Sequence, residues 1–270
     1  MKIAEIKELL GSQPSVETLA TLACDKRKGV KQLLATYHKR LAAVVTEKQR
    51  FQTLLRYETI YWEQGFSYVA GVDEAGRGPL AGPLVVAAVI LPPGVFIAGL
   101  NDSKQVTASK RETLYREIME QAVAITVSIV AVEEIDCYNI YQATKLYMTK
   151  VLQALTPQPQ AALIDAMPVT VAMPTEVIIH GDSLSASIAA ASIIAKVTRD
   201  RLMCTLDSLY PQYHFAQNKG YGSAQHLTAL ETYGATPWHR HSYEPVKSFQ
   251  LQIPTAGTSQ IIILKSNSES

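Results

Sequence analysis

The spacing of hydrophobic positions changes along the chain. Up to about residue 60 the apolar residues recur at helical spacing, beginning with Ile3, Ile6, Leu9 and Leu10. We therefore expect a small helical extension over residues 1–60, with a turn near Gly29.

From residue 67 onward the pattern predicts both strands and helices, which indicates a second domain that is not purely helical. Apolar and β-branched runs predict strands over residues 68–73, 84–91, 122–132, 161–165 and 176–180. Amphipathic spacing predicts helices over residues 107–121, 133–155, 183–209 and 223–233. Strands that first follow one another and then alternate with helices indicate an α/β fold with a mixed central sheet flanked by helices.

These elements define the expected domain limits. We assign residues 67–250 to the α/β domain, including a C-terminal helical segment. Residues 254–270 show no pattern that would pair them with another element, so we expect a loose tail there.

Charge is unevenly distributed, although the net charge of +1 favours no class of partner by itself. Residues 1–60 contain 11 Lys and Arg against 6 Asp and Glu, whereas the rest of the chain contains 14 against 18. The extension is therefore basic, with a cluster formed by Lys26, Arg27, Lys28 and Lys31. Such a cluster either attracts phosphate groups or covers a solvated helical face, and the sequence leaves both interpretations open.

The cysteines and the apolar runs indicate the cellular setting. The three cysteines, Cys24, Cys137 and Cys204, are far apart and do not have metal-ligand spacing. The longest apolar run, residues 79–93, contains prolines and is too short to span a bilayer. We expect a cytoplasmic protein without a membrane segment. No feature of the sequence indicates an obligate protein partner, so we also expect a monomer.

Acidic residues end several of the predicted strands. Asp73 and Glu74 come directly before a glycine-rich turn, while Asp165 and Asp182 follow later apolar runs. Mg²⁺ and Mn²⁺ prefer carboxylate oxygens, and two such ions about 4 Å apart can promote phosphodiester cleavage. Each aspartate taken singly also suits a turn or a helix cap, and Asp182 could cap a helix that begins at Ser183.

The glycine-rich turn also fits a loose dinucleotide-binding pattern, Gly76-x-Gly78-x-x-Ala81. That pattern requires a helix directly after the turn. Here Pro79 and Pro83 are followed by a run typical of a strand, so we reject a nucleotide-cofactor site.

Five segments resemble one known family. The segment Tyr68-Val-Ala-Gly-Val-Asp-Glu-Ala-Gly-Arg-Gly-Pro-Leu-Ala-Gly-Pro83 closely resembles the opening motif of bacterial ribonuclease HII. Later segments match the same family in order: Leu100-Asn-Asp-Ser-Lys104, the strand ending at Asp165, residues 181–200, and Lys219-Gly-Tyr-Gly222 with His226 downstream. The match covers residues 68–245. Ribonuclease HIII is less similar, because its first motif lacks the Arg-Gly-Pro continuation.

The resemblance implies a ribonuclease H-like fold and roles for individual residues. The family's acidic site, which binds Mg²⁺ or Mn²⁺, corresponds to Asp73, Glu74, Asp165 and Asp182. The loop that senses the 2′-hydroxyl next to the scissile phosphate corresponds to Gly76, Arg77 and Gly78. The tyrosine that stacks on the sugar at the RNA–DNA junction corresponds to Tyr221.

Other residues near these motifs have less specific interpretations. Lys104 is a candidate for substrate binding, and Lys196 and Arg199 are candidates for contact with phosphate or for pairing with acids. We assign Asp102 to a turn and leave it out of the metal site. Ala166 stands where many family members have glycine, and an alanine fits there unless φ is positive.

The function implied by the resemblance is that of an endoribonuclease. Such an enzyme hydrolyses the RNA strand of RNA–DNA hybrids and cuts on the 5′ side of ribonucleotides embedded in duplex DNA. Hydrolysis with two metal ions leaves 5′-phosphate and 3′-hydroxyl ends. Two alternatives use the same residues: another metal-dependent nuclease, and a non-catalytic protein that binds RNA–DNA hybrids.

Overall fold

The computed structural model describes residues 1–12, 14–249 and 258–266, and the chain divides into two compact units. The first unit is Met1–Gln52 and the second is Thr53–Ser270. The hydrophobic pattern extended the first part to residue 60. The difference arises because residues 53–60 have the same helical spacing as the residues before them and are assigned to the second unit only by their contacts.

Three helices begin the chain. They are α1 (Ile3–Leu9), α2 (Val16–Ala23) and α3 (Lys28–Leu54). Ser15 caps α2 by accepting a hydrogen bond from the backbone N–H of Thr18. Gly29 lies inside α3, so the predicted turn near this residue occurs slightly earlier in the chain. The first unit has a small core of its own, formed by Ile6, Leu10, Leu22, Val30 and Leu34.

A mixed sheet of six strands forms the centre of the second unit. The strands are β1 (Val69–Ala75), β2 (Leu84–Ile90), β3 (Ala124–Val130), β4 (Ala161–Asp165), β5 (Thr175–Ile178) and β6 (Gln260–Lys265). Their order in the sheet is β5-β4-β1-β2-β3-β6. The pairs on one side of β1 are parallel, and those on the other side are antiparallel. The prediction of a mixed central sheet is confirmed.

Helices lie between and after the strands. They are α4 (Arg56–Glu63), α5 (Ala108–Gln121), α6 (Val132–Tyr138), α7 (Ile140–Ala154), α8 (Ala186–Leu209), α9 (Phe215–Asn218) and α10 (Ala224–Tyr233). The helix predicted over residues 133–155 is interrupted at Asn139, which has φ +63° and caps α7 with its side chain. None of the helices in the described ranges combines the length and the apolar character needed to cross a membrane.

The sheet is covered on both faces, which explains the continuous apolar runs in its strands. On one face Ala70 and Val72 of β1 belong to a core that includes Tyr147 and Met148 of α7. On the other face α8 packs so closely that a Cβ added to Gly71 would lie 2.0 Å from the backbone carbon of Ser187. Because successive strand residues alternate between faces, Asp73 lies on the side of α8.

The prediction of a loose tail over residues 254–270 is wrong for residues 260–265. These residues form β6, an edge strand that pairs with β3. Ser259 also accepts a hydrogen bond from the backbone N–H of Ala131, at 2.8 Å. The apolar run Ile261-Ile-Ile-Leu264 is itself typical of a strand, so the local pattern supports β6, whereas its pairing with the distant strand β3 is visible only in the fold. Residues 254–257 and 267–270 of the predicted tail lie outside the described residues.

Candidate active site

Two neighbouring parallel strands, β1 and β4, bring the first acids together near the carboxyl ends of these strands. Val72 of β1 is paired with Ile164 of β4, so the residues that follow them, Asp73 and Asp165, lie side by side. Glu74 remains in β1, and its carboxylate interacts electrostatically with Asp165. Three of the predicted acids therefore lie near the end of β4 and interact electrostatically.

Asp182 reaches the same region from the turn after β5. The backbone reverses at His180, which has φ +58°, and continues into the short 3₁₀ helix Gly181–Ser183. The N–H of Gly181 donates a hydrogen bond to Asp165 Oδ1 at 2.7 Å, which ties this turn to the end of β4. Ser185, not Asp182, caps the following helix α8. The cap interpretation of Asp182 is therefore wrong.

Burial raises the pKa values of all four acids, and a neighbouring carboxylate adds to each shift. Burial raises the pKa of Asp73 well above its usual range, and the charges of Glu74 and Asp165 raise it further. Burial raises the pKa of Glu74 to about 7, although nearby Arg77 opposes the shift. Burial, followed by the charge of Asp102, raises the pKa of Asp182 to about 6. Burial also raises the pKa of Asp165, against the hydrogen bond from Gly181.

Asp102 lies near these acids, although its sequence context indicates only a turn. It does form that turn, because its Oδ1 accepts a hydrogen bond from the N–H of Lys104 at 2.9 Å. Its carboxylate is also close enough to Asp182 to raise the pKa of that residue. The sequence contains no signal for this second contact, which depends on how the segments meet in space. Lys104 is mostly exposed, and its Nζ lies 3.9 Å from Asp182 Oδ2.

The oxygen atoms of this cluster suit divalent cations. Glu74 Oε2 is buried and has no hydrogen-bond partner among the described residues. Within those residues, no three His, Cys, Asp or Glu side chains converge closely enough to enclose an ion by themselves. Mg²⁺ does not require such a cage, because it is usually bound by one or two carboxylates and completes its shell with water and substrate phosphate oxygens. The residues present therefore fit an ion of this kind.

A pocket next to the acids contains the predicted substrate-binding residues. This recognition pocket has a volume of about 300 Å³ and is lined by Glu74, Ala75, Gly76, Arg77, Gly78, Ser103, Lys104, Ser192, Lys196, Arg199 and Tyr221. The glycine-arginine-glycine loop (residues 76–78) begins with a residue at φ +99°, where a Cβ would lie 2.1 Å from Arg199 Nε. A Cβ on Gly78 would be 3.6 Å from Tyr221 Cε1. The loop and the tyrosine are therefore adjacent.

The two other basic candidates have different environments. Lys196 Nζ pairs with Asp200 Oδ1 at 2.7 Å. Arg199 is only 1% exposed and donates hydrogen bonds to the carbonyl oxygens of Ala81, Pro83 and Lys219. Burial lowers the pKa of its guanidinium to about 10. Arg199 supports the backbone around the pocket, so the hypothesis of a phosphate contact is wrong for this residue.

The sheet order and the acids at its edge place the chain in the ribonuclease H-like class of α/β proteins. The family described as "Ribonuclease HII" matches residues 70–246, and the family described as "Ribonuclease HII N-terminal domain" matches residues 2–62. The chain belongs to the ribonuclease HII family.

Several known proteins are similar to this chain. Ribonuclease HII of Ligilactobacillus salivarius is 49% identical over 252 residues, which covers 93% of this chain and 99% of that protein. Ribonuclease HII of Desulfitobacterium hafniense is 50% identical over 254 residues, which covers 94% and 97% of the two chains. The crystal structure of ribonuclease H2 from Pyrococcus horikoshii superposes with a TM-score of 0.59 and 28% identity, covering 67% of this chain and 96% of that one.

Proposed function

We propose that this chain is an endoribonuclease that hydrolyses the RNA strand of RNA–DNA hybrids and cuts duplex DNA on the 5′ side of an embedded ribonucleotide. The observation that supports this proposal best is the recognition pocket, in which the glycine-arginine-glycine loop and Tyr221 lie next to Glu74. Groups suited to contact a 2′-hydroxyl therefore adjoin carboxylates suited to phosphodiester hydrolysis.

In this proposal Asp73, Glu74, Asp165 and Asp182 bind the divalent ions, Mg²⁺ or Mn²⁺. When bound, the ions supply positive charge for the attacking water and for the leaving 3′-oxygen, which gives 5′-phosphate and 3′-hydroxyl ends. The raised pKa values support the assignment, because these carboxylates are buried together without enough positive charge from the chain. The unpartnered Oε2 of Glu74 supports it independently.

The recognition pocket would identify the ribonucleotide by its sugar. Backbone groups of the glycine-arginine-glycine loop are suited to contact the 2′-hydroxyl, because Gly76 adopts φ +99° against the Arg199 side chain and Gly78 leaves its backbone uncovered next to Tyr221. Tyr221 is 51% exposed, and its ring is available to stack on the sugar at the junction. The side chain of Lys104 is 81% exposed and can reach a phosphate group.

The test uses an end-labelled DNA duplex with one internal ribonucleotide, incubated with Mg²⁺ or Mn²⁺. We expect a single metal-dependent cut on the 5′ side of the ribonucleotide and no cut in an all-DNA duplex. Asp73→Asn should lower the cleavage rate by roughly 10²–10³-fold, because it removes a charged ligand without changing the shape of the side chain. Glu112→Gln is the matched control and should keep the wild-type rate, since Glu112 pairs with Arg201 on the surface.

The same assay separates the alternatives. Equal cutting of the all-DNA duplex would indicate a general metal-dependent nuclease. Loss of cutting when both ends of the substrate are blocked would indicate an exonuclease. Binding of hybrids without cleavage by either ion would leave a non-catalytic binding protein as the remaining interpretation.

A further inference from the structure

One segment lies behind the recognition pocket and contacts both of the parts that would recognise ribose. This positioning segment (residues 236–243) follows α10 and contains two fully buried polar side chains, His239 and Arg240. The two residues are adjacent in sequence, yet their side chains support different parts of the pocket.

Arg240 holds the glycine-arginine-glycine loop. Its guanidinium donates hydrogen bonds to the carbonyl oxygens of Gly76 at 2.5 Å, Arg77 at 2.8 Å and Gly82 at 2.9 Å. Tyr243 adds a further contact, because its hydroxyl donates to the Arg77 carbonyl oxygen at 2.9 Å. Among the described residues, no carboxylate lies within salt-bridge distance of Arg240. The planar guanidinium therefore serves to hold backbone carbonyls in one arrangement.

His239 acts on Tyr221 through a second histidine. Its Nδ1 accepts a hydrogen bond from the N–H of Thr236 at 2.9 Å, so its proton must be on Nε2. Nε2 then donates to Nε2 of His226 at 3.0 Å, which leaves the His226 proton on Nδ1. That proton is donated to the carbonyl oxygen of Tyr221 at 2.8 Å. Burial lowers the pKa of His239 to about 3 and keeps this chain of hydrogen bonds neutral.

Backbone hydrogen bonds link the same three parts of the chain. The N–H of Arg240 donates to the carbonyl oxygen of Leu80, and the N–H of Leu80 donates to that of Gly220, both at 2.8 Å. The N–H of Gly82 donates to the carbonyl oxygen of Trp238 at the same distance. The residue before Tyr221 and the residues after the loop are thus connected to the positioning segment.

A contribution to stability alone does not account for these buried groups. A buried guanidinium without a carboxylate partner is unfavourable, and apolar side chains of similar volume often stabilise a core as well or better. What a guanidinium provides and an apolar side chain cannot is a fixed position for several carbonyl groups.

We propose that His239 and Arg240 are positioning residues that set the glycine-arginine-glycine loop and Tyr221 relative to each other, and so determine the discrimination of ribose from deoxyribose. Arg240 acts on the loop directly, and His239 acts on Tyr221 through His226. The inference rests on the proposed function, because that function assigns ribose recognition to these two parts of the pocket.

The test compares binding to two duplexes, one with a single ribonucleotide and one entirely of DNA. Variants Arg240→Lys and His239→Gln are made in the Asp73→Asn chain, so that cleavage is suppressed while dissociation constants are measured. We expect the affinity for the ribonucleotide duplex to fall by about tenfold, as for loss of a hydrogen bond to a buried charged group. The affinity for the DNA duplex should stay unchanged. The discrimination ratio, which is the dissociation constant for the DNA duplex divided by that for the ribonucleotide duplex, therefore falls.

Arg201→Lys is the matched control, since Arg201 is an exposed arginine of α8 that pairs with Glu112. It should leave the ratio unchanged. If Arg240→Lys does not fold at the assay temperature, Tyr243→Phe provides the second variant, because it removes only the hydroxyl that donates to the Arg77 carbonyl oxygen. It should lower the ratio severalfold without unfolding the chain. Folded variants that keep the parent's ratio would overturn the inference.

A double substitution tests the path through Tyr221. In a chain that already carries Tyr221→Ala, His239→Gln should have no further effect on the ratio, because residues that act through one contact are not additive. Additive effects would show that His239 does not act through Tyr221. If the parent chain itself binds both duplexes equally, the proposed function fails. If the parent discriminates and the variants do so equally well, only the inference fails.

Discussion

Individual carboxylates at the sheet edge are held where their negative charge is unfavourable. The folded chain raises the pKa of Glu74 from 4.5 to about 7 and that of Asp182 from 3.8 to about 6. At pH values between the unfolded and the folded pKa of each group, the folded state binds more protons than the unfolded state. The stability of the metal-free protein therefore decreases as the pH rises from about 4 to about 7. A bound divalent cation would offset this effect, because it requires the ionised carboxylates.

Binding of Mg²⁺ or Mn²⁺ is accordingly expected to release on the order of one proton near neutral pH, and the affinity should increase as the pH rises. Titration calorimetry at one pH, in two buffers with different ionisation enthalpies, measures the released protons. Glu74→Gln removes one of the titrating groups and should reduce the number. A binding heat that does not depend on the buffer would contradict the prediction.

The residue after Asp165 is a second case in which the backbone decides. Ala166 has φ +45°, so the condition under which alanine does not fit is met. Ala166→Gly should stabilise the protein by about 0.5–1 kcal/mol, because glycine adopts positive φ without steric strain. Ala122→Gly is the control: Ala122 has φ −63°, and the same change there should destabilise the protein. Urea unfolding measures both changes, and a shift in the same direction for both would contradict this explanation.

At the scale of elements, the strands with sequence-adjacent partners were predicted well, and β6 was not. β1 and β2 follow each other and pair from Ala70 to Ala75 and from Val85 to Ile90, whereas β6 pairs with a strand far earlier in the chain. Lys265 of β6 also donates hydrogen bonds to the carbonyl oxygens of Met119 and Glu120 at the end of α5. A cation at the C-terminus of a helix is stabilised by the helix dipole.

Deletion of residues 258–270 should therefore destabilise the fold without changing the active site. β3 would lose its partner on one side, and we expect a loss of at least about 2 kcal/mol in the free energy of unfolding. The acids lie next to β1 and β4, on the other side of β2 and β3 from β6, so the cleavage rate at low temperature should stay within about twofold of wild type. Thermal unfolding and the ribonucleotide cleavage assay measure the two effects, and an unchanged melting temperature would show that β6 is dispensable.

In the molecule as a whole, the two units differ in their charge and in the residues that they contribute to the proposed site. Met1–Gln52 contains 10 Lys and Arg against 5 Asp and Glu, while all the proposed site residues belong to the second unit. We propose that residues 1–60 form a basic extension and residues 67–250 the catalytic domain. The helix α4 begins within the first of these ranges, yet it supports the second unit, because buried Glu58 accepts hydrogen bonds from Ser185 Oγ at 2.6 Å and from the N–H of Ser187 at 2.8 Å.

Deletion of residues 1–52 should leave ribonucleotide-specific cleavage intact but weaken binding. If the basic cluster contacts phosphates, the slope of log affinity against log salt concentration becomes shallower by roughly 1–3 units. An unchanged slope would show that the cluster covers only a solvated face. Deletion of residues 1–60 is the comparison: it also removes Glu58 and should lower the melting temperature of the remaining chain, because the start of α8 loses a buried acceptor.

Local sequence patterns are sufficient to predict the α/β class, the strand that leads to Asp73 and Glu74, and the helices α5, α8 and α10 to within a few residues. These features are local. A strand buried on both faces needs a continuous apolar run, and an amphipathic helix needs its own spacing, whatever the rest of the chain does. The motifs around Asp73, Asp165 and Asp182 are local as well, so the sequence predicts that these residues share one site.

Only the tertiary structure placed Asp102 beside Asp182, paired β6 with β3, and buried Arg199 and Arg240 against backbone carbonyls. A charged residue in a sequence normally indicates a surface position, so nothing in the pattern distinguishes these two arginines from exposed ones. Their environment depends on carbonyl groups that other segments bring to them. Local backbone preferences and burial patterns are properties of a short stretch of chain, whereas the environment of a buried charge depends on contacts between distant stretches.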